Sequence, residues 1–247
     1  MRNLWKKTFA ANLMNERCVT MFAEEIHFIE KGQGEPFILL HGNGDNCHIF
    51  DNFIDHFSKE YRVIAIDTRG HGKTPLGEEV FSLYQFAEDL KDFMDLHKIE
   101  KANILGFSDG GNIAMIFASK YPERVIRLIA NGANTKPSGM KTTVHIGMWL
   151  VYFGACLLSG ISKKQAKTKQ LYKIMLFEPH ISAYDLKNIS APALVLVGTN
   201  DMIKEKESRY IARTIPNAEL RFVLGGHFIL KENQKDYFYT VQKFLEK

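Results

Sequence analysis

A serine, an aspartate and a histidine, each in a glycine-bearing turn after an apolar run, are the residues with which this chain could do chemistry. Ser108 stands in Gly106-Phe107-Ser108-Asp109-Gly110-Gly111, behind the run Ala102 to Leu105 and ahead of a helix-like stretch ending near Tyr121. A G-x-S-x-G between strand and helix holds its serine on a strained turn with Oγ clear of the sheet, and only small residues fit beside it. Gly106 and Gly110 meet that demand. Asp201 follows Val197 in Gly198-Thr199-Asn200-Asp201, and His227 follows Val223 through Leu224-Gly225-Gly226.

Each residue type has a physical task. A serine hydroxyl is a weak nucleophile at its own pKa and needs an imidazole to take its proton, which His227 supplies. The imidazole needs a carboxylate to fix its tautomer and stabilise the imidazolium, which assigns Asp201. The oxyanion formed on attack needs backbone donors: the Asp109 amide at a helix start, and the Asn43 amide in His41-Gly42-Asn43-Gly44. Asp201 has a second reading as the cap of the helix that follows. Asp185 lies too far before its strand to compete. His41, Asp67, Arg69 and His71 read as organisers of loops, and Cys47 as a packed thiol near the oxyanion loop. No metal ligand set or cofactor motif is expected.

These residues need a sheet to bring them together. Short apolar runs alternate with longer amphipathic ones, the pattern of strands joined by crossover helices. Val19–Phe22 and Ile26–Glu30 read as an opening hairpin. Residues 37–40, 63–66, 102–105, 125–130, 193–197 and 220–223 read as strands of a mostly parallel α/β sheet, and 50–57, 83–97, 111–121, 205–215 and 236–245 as helices on both of its faces. Four loops then fall where open α/β sheets place their sites. The rhythm breaks between Asn134 and Asp185, where two apolar or lysine-rich helical segments replace a single helix. The expected organisation is a core of residues 1–133 and 186–247 with a small helical cap, 134–185, inserted into it.

Within the cap, Thr142 to Ser162 carries no formal charge and approaches the length of a membrane-spanning helix. His145, Gly147, Gly154 and Gly160, and its place between two strands of one sheet, favour a lid over an apolar pocket. Trp149, Phe153 and Leu157 recur about one turn apart and are expected to face inward and wall that pocket.

In order and context, His41-Gly42, Asp67-Thr68-Arg69-Gly70-His71-Gly72, the serine turn, Asp201 and His227 resemble the α/β-hydrolase superfamily, from about Val19 onward. The resemblance implies a Ser108-His227-Asp201 triad, oxyanion amides at Asn43 and Asp109, and cofactor-free hydrolysis of a small-molecule carboxylic ester, with thioesters or activated amides also in range. The serine nucleophile argues against dehalogenase and epoxide-hydrolase chemistry. The same residues would serve perhydrolysis or C–C hydrolysis, or be retained in a low-turnover small-molecule sensor. The elbow further resembles the Gly-x-Ser-Asp-Gly-Gly form of valacyclovir-hydrolase-like enzymes, which implies that Asp109 reads a substrate amine. An aspartate in the first helical turn also opposes the helix dipole, and the two readings stand side by side.

Bulk properties bound the rest. The 247 residues carry a net charge of +4 from scattered lysines, without a basic stripe interleaved with aromatics, so nucleic-acid binding has no support. Cys18, Cys47 and Cys156 are an odd set without Cys-x-x-Cys spacing, which fits a reducing cytoplasm. The basic start Met1–Lys7 is not followed by the apolar core of a signal peptide. No stable membrane insertion is expected.

Overall fold

The computed structural model describes residues 22–247, and they form a seven-stranded sheet with helices on both faces. The strands are β1 (Phe28–Lys31), β2 (Glu35–Leu40), β3 (Tyr61–Ile66), β4 (Ala102–Phe107), β5 (Val125–Asn131), β6 (Ala193–Gly198) and β7 (Ala218–Val223). Their spatial order is β1-β3-β2-β4-β5-β6-β7, with β1 antiparallel to β3 and every other pair parallel. The six predicted runs from residue 37 onward all lie within these strands. The opening hairpin does not appear as expected. Residues 19–21 lie outside the described residues, Phe22 begins a helical turn, and β1 pairs with β3. Ile26 is buried in the core ahead of β1.

Alternation along the central strands makes two cores from one sheet. Ile38, Leu40, Ile64, Ile66 and Ile104 point to one face, and Phe37, Leu39, Val63, Ala65 and Leu105 to the other. The first face is covered by α2 (Leu83–Leu96), α3 (Asp109–Lys120) and Ile211 of α7 (Glu205–Thr214). The second is covered by α1 (Asp51–Phe57), α8 (Ile229–Glu232) and α9 (Gln234–Leu245). Because both faces are covered, β4 and β6 are buried at every position, which is why they read as unbroken apolar runs.

Chain direction reverses between β2 and β4: from β2 the chain runs outward to β3, then returns to the opposite neighbour. The loops after these two strands therefore open a crevice at the carboxyl edge of the sheet. Between β5 and β6 lie α4 (Thr142–Leu158) and α5 (Lys163–Phe177), which pack against each other, then α6 (Ala183–Asn188). Helix α6 packs on α3 through the buried Leu186, and so belongs to the layer covering the sheet. Asp185 closes a capping box with Ser182 at its start, which occupies the carboxylate far from Ser108.

Candidate active site

Ser108 joins β4 to α3 with φ 55° and ψ −120°, a left-handed conformation that a non-glycine residue adopts only when its surroundings over-determine it. Those surroundings are visible. The Ser108 amide donates to Asn131 O at 2.7 Å, and its carbonyl accepts from the amides of Gly111 and Asn112. A side chain at Gly106 would run into the Gly110 carbonyl, and one at Gly110 into the carbonyl of Leu40. The flanking glycines are therefore required by backbone-to-backbone approach, and the helix they start aims its N-terminal end at the serine.

Ser108 Oγ lies 2.9 Å from His227 Nε2, and His227 Nδ1 lies 2.7 Å from Asp201 Oδ1. Asp201 is 2% exposed, and the same Oδ1 accepts the Ile203 amide at 2.9 Å, which aims the carboxylate at the ring. Its backbone amide bonds to Gly198 O, and the loops after β6 and β7 are laced together by Thr199 N to Val223 O and Asn200 N to Gly225 O. Gly132, just after β5, fits under the imidazole: its φ is +61°, and a methyl there would come within 2.8 Å of His227 Cε1.

The main-chain N–H groups of Asn43 and Asp109 donate to no protein acceptor among the described residues. The Asn43 loop approaches closely, since a methyl on Gly42 would sit 3.1 Å from Ser108 Cβ. The structure thus brings together the serine, its imidazole, the carboxylate and two uncommitted amides, an arrangement able to attack a carbonyl and hold the resulting oxyanion.

The Asp109 side chain is buried beside them. Asn43 Nδ2 donates to its Oδ2 at 3.0 Å and Asn112 Nδ2 to its Oδ1 at 3.2 Å. Burial nevertheless pushes its carboxyl up to about 6, with the Asn43 hydrogen bond opposing. Asn43 also donates to Leu171 O at 2.9 Å, tying α5 to the loop after β2. Beyond Asp109 lies a narrow cavity bordered by His71, Leu83, Phe86, Ile113 and Ile174. Two buried polar atoms nearby, Asn43 Oδ1 and His71 Nε2, lack a partner. Burial pulls His71 down to about 4, with the neighbouring His41 adding to it, and its Nδ1–H is placed to donate to Arg69 O at 3.0 Å, so Nε2 is a bare acceptor. The cavity therefore collects acceptors: a carboxylate, an amide oxygen and an imidazole nitrogen.

The loop organisers have such contacts. His41, held below its ordinary value by burial, donates from Nδ1 to Gly42 O and accepts the Thr68 amide at Nε2. Arg69, 1% exposed, makes a bidentate pair with Asp89 and lies over the Phe22 ring. Burial alone would raise the Asp67 carboxyl, but the amides of Lys73 and Cys47 draw it below the usual range. His27, Cys47 and Asp67 place one ligand atom each within 4.8 Å of one another, the metal-capable group found among the described residues. Burial, followed by the adjacent Asp67, pushes the Cys47 thiol up to about 12, as befits a packed thiol.

The cap residues are a correction. Trp149 is half-buried, whereas Phe153 stacks on it at 5.4 Å with its own outer face in solvent, and Leu157 is 85% exposed. The buried side of α4 carries Met148 and Ala155, with Val144 and Tyr152 packed beside Leu176. Stepping by four from Trp149 follows a stripe that turns outward, because the helix is apolar all round and offers no phase to read. Sequence reasoning also missed Gly132, the side-chain roles of Asn43, and Asn112. Of these only Asn112 left a signal, three residues after Asp109 on the same helix face.

A family model described as the alpha/beta hydrolase fold matches residues 35–155. A 2-hydroxy-6-oxononadienedioate/2-hydroxy-6-oxononatrienedioate hydrolase of Comamonas testosteroni is 33% identical over 181 residues, covering 70% of this chain and 60% of its own length. An N-acyl homoserine lactone degrading enzyme superposes with a TM-score of 0.72 at 25% identity, covering 89% of this chain and 96% of that one. The enol-lactonase of Burkholderia xenovorans gives 0.74 at 21% identity, covering 90% and 96%.

Proposed function

From a chain that belongs to the α/β-hydrolase superfamily, we propose a serine hydrolase that cleaves carboxylic esters through an acyl-enzyme. The observation that carries this reading is the unbroken relay from Asp201 through His227 to Ser108, at 2.7 and 2.9 Å, beside two uncommitted amides. Ser108 Oγ attacks the carbonyl while His227 Nε2 takes its proton and Asp201 stabilises the imidazolium. The oxyanion accepts from the Asn43 and Asp109 amides. His227 then protonates the leaving alcohol, and a water activated by the same ring hydrolyses the acyl group. A thioester would follow the same course. The chemistry needs no cofactor.

A second reading, hydrolysis of a C–C bond beside a carbonyl, draws on one relative, the Comamonas protein named as a hydrolase of a 6-oxo dicarboxylate. Asp109 bears on the choice. A buried carboxylate beside the nucleophile repels a dianionic substrate and suits a neutral or cationic one.

The deciding experiment is Ser108→Ala, assayed on a panel of aryl, acyl and aminoacyl esters. Turnover should fall by roughly four to six powers of ten, and Ser108→Ala with His227→Ala should be little worse than either alone, because the residues act as a unit. The wild type should label rapidly with a fluorophosphonate and the Ser108 variant should not. Undiminished hydrolysis by Ser108→Ala sinks the proposal. Rapid labelling without turnover on any ester would point to a sensor instead.

A further inference from the structure

Helix α4 contains no Asp, Glu, Lys or Arg, and its apolar residues are spread around its whole circumference. Such a helix needs cover on every side, as in a protein core or a lipid. It has cover on one. Met148 and Ala155 are buried against the α5 side, while Ile146, Leu150, Phe153 and Leu157 recur at helical spacing on the opposite side and stand open. Leu150 is 70% exposed, Phe153 57%, and Ile161 in the turn to α5 84%. A methyl added at Gly147 or Gly154 would meet nothing within 4 Å. Among the described residues, nothing covers this face.

Its border is charged. Helix α5 carries Lys163, Lys164, Lys167, Lys169 and Lys173, and residues 142–177 contain no Asp or Glu. None of these five lysines takes part in an ion pair among the described residues. Lys163 and Lys164 follow Ile161 across one serine. Lys173 lies one turn before Phe177, whose ring meets Trp149 at 5.5 Å. Lys163 and Lys167 line a groove against Gly70, Leu76 and Phe81, whereas Lys164, just past Ile161, and Lys173, a turn before Phe177, bring uncompensated positive charge to the ends of an outward apolar stripe of about 17 Å, eleven steps of 1.5 Å from Ile146 to Leu157.

We infer that α4, with the lysines of α5, is an interfacial docking surface for a bilayer containing anionic lipids. The apolar side chains enter the acyl boundary and the ammonium groups meet phosphate and carboxylate headgroups. A second copy of this chain fits less well, because closing two such faces sets lysines beside lysines. No helix among the described residues is long and apolar enough to cross a membrane, so α4 lies in the plane of the interface and binding is reversible.

The test is co-sedimentation of the full-length chain with vesicles of phosphatidylcholine alone and with about 30% phosphatidylserine, the anionic surface this reading requires. Binding is expected on the anionic vesicles and should weaken as salt is raised. Leu150→Glu with Ile161→Glu should lower it by about tenfold or more, since both burial and charge then oppose docking. Lys164→Gln with Lys173→Gln should weaken it by about twenty-fivefold, from about fivefold per lysine. Both side chains of each pair point to solvent, so circular dichroism and Ser108 labelling should match the parent and separate lost docking from lost folding. Absence of binding, or equal binding to both vesicle types that ignores the lysine variants, overturns the inference. So does a concentration-dependent dimer in sedimentation that Leu150→Glu abolishes, which would assign the face to a second copy.

Discussion

The loops at the carboxyl edge of the sheet and the helix pair between β5 and β6 are held by opposite means. Around the Ser108 turn the backbone is tightly packed: two glycines are dictated by backbone carbonyls, a third by the His227 ring, and the ends of β4, β5, β6 and β7 are each laced to the next. Along α4 the opposite holds, with large apolar side chains in the open and glycines facing empty space. Steric exclusion and buried polar pairs specify atomic positions, whereas apolar composition specifies only that some surface will be covered. The first region is built to hold a geometry, the second to meet something.

The sharpest way to break this contrast is to add one methyl in the crowded region. In Gly132→Ala the new carbon would lie within 2.8 Å of His227 Cε1, on a backbone whose φ of +61° disfavours a side chain. The ring must shift or tilt away from Ser108. A displacement of the order of 1 Å in a catalytic geometry costs about a hundredfold in kcat, so a loss of that size is expected, with slowed fluorophosphonate labelling and a protein that still folds. Wild-type kcat in this variant would mean that the packing under the imidazole does not hold the relay.

A smaller effect belongs to Asp109, where the region's polar order touches specificity. If the carboxylate reads an ammonium group, Asp109→Asn should lower kcat/KM for aminoacyl esters relative to neutral esters of matched size by about 1 to 3 kcal/mol, the range for a hydrogen bond to a charged group. Selectivity should also fade as pH drops below about 6, where burial lets the carboxyl take up its proton. The stability effect has the opposite slope. A carboxyl raised in the folded state binds protons more tightly there than in the unfolded chain, so stability falls as pH rises from its ordinary 3.8 to about 6. Two units correspond to about 3 kcal/mol at the upper limit, and Asp109→Asn should flatten that slope in urea titrations. Equal losses on both ester classes would leave only the helix dipole, worth about 0.3 to 1 kcal/mol.

The same contrast explains what could be read from the chain itself. The strands that lead to Ser108, Asp201 and His227 announce their ends by an apolar run stopping at or beside glycine, so the meeting of the three residues was legible before any coordinates. Their catalytic roles remain the proposal that the geometry supports. Gly132 was not legible, because its reason for being glycine is a ring supplied from far along the chain. Phe153 and Leu157 were placed on the wrong side of α4 because hydrophobicity spread around a helix carries no phase, and only the partner α5 decides which side is covered. The edge strand β1 was read within two residues, its apolar Ile26 being core contact just outside the ladder.

The gentlest probe applies the same substitution to the open region. Gly154 lies inside α4 with ordinary helical backbone, and a methyl there meets nothing within 4 Å. Glycine in a helix interior costs roughly 0.5 to 1 kcal/mol relative to alanine, because the unfolded chain loses more freedom on folding. Gly154→Ala should therefore stabilise the cap by about that amount in urea unfolding, with ester turnover unchanged, where Gly132→Ala cripples it. If Gly154→Ala instead destabilises the free protein, something in the full-length chain already packs on this face. The docking surface would then be occupied before any bilayer arrives, and the weakest of these perturbations would have overturned the openness on which the contrast rests.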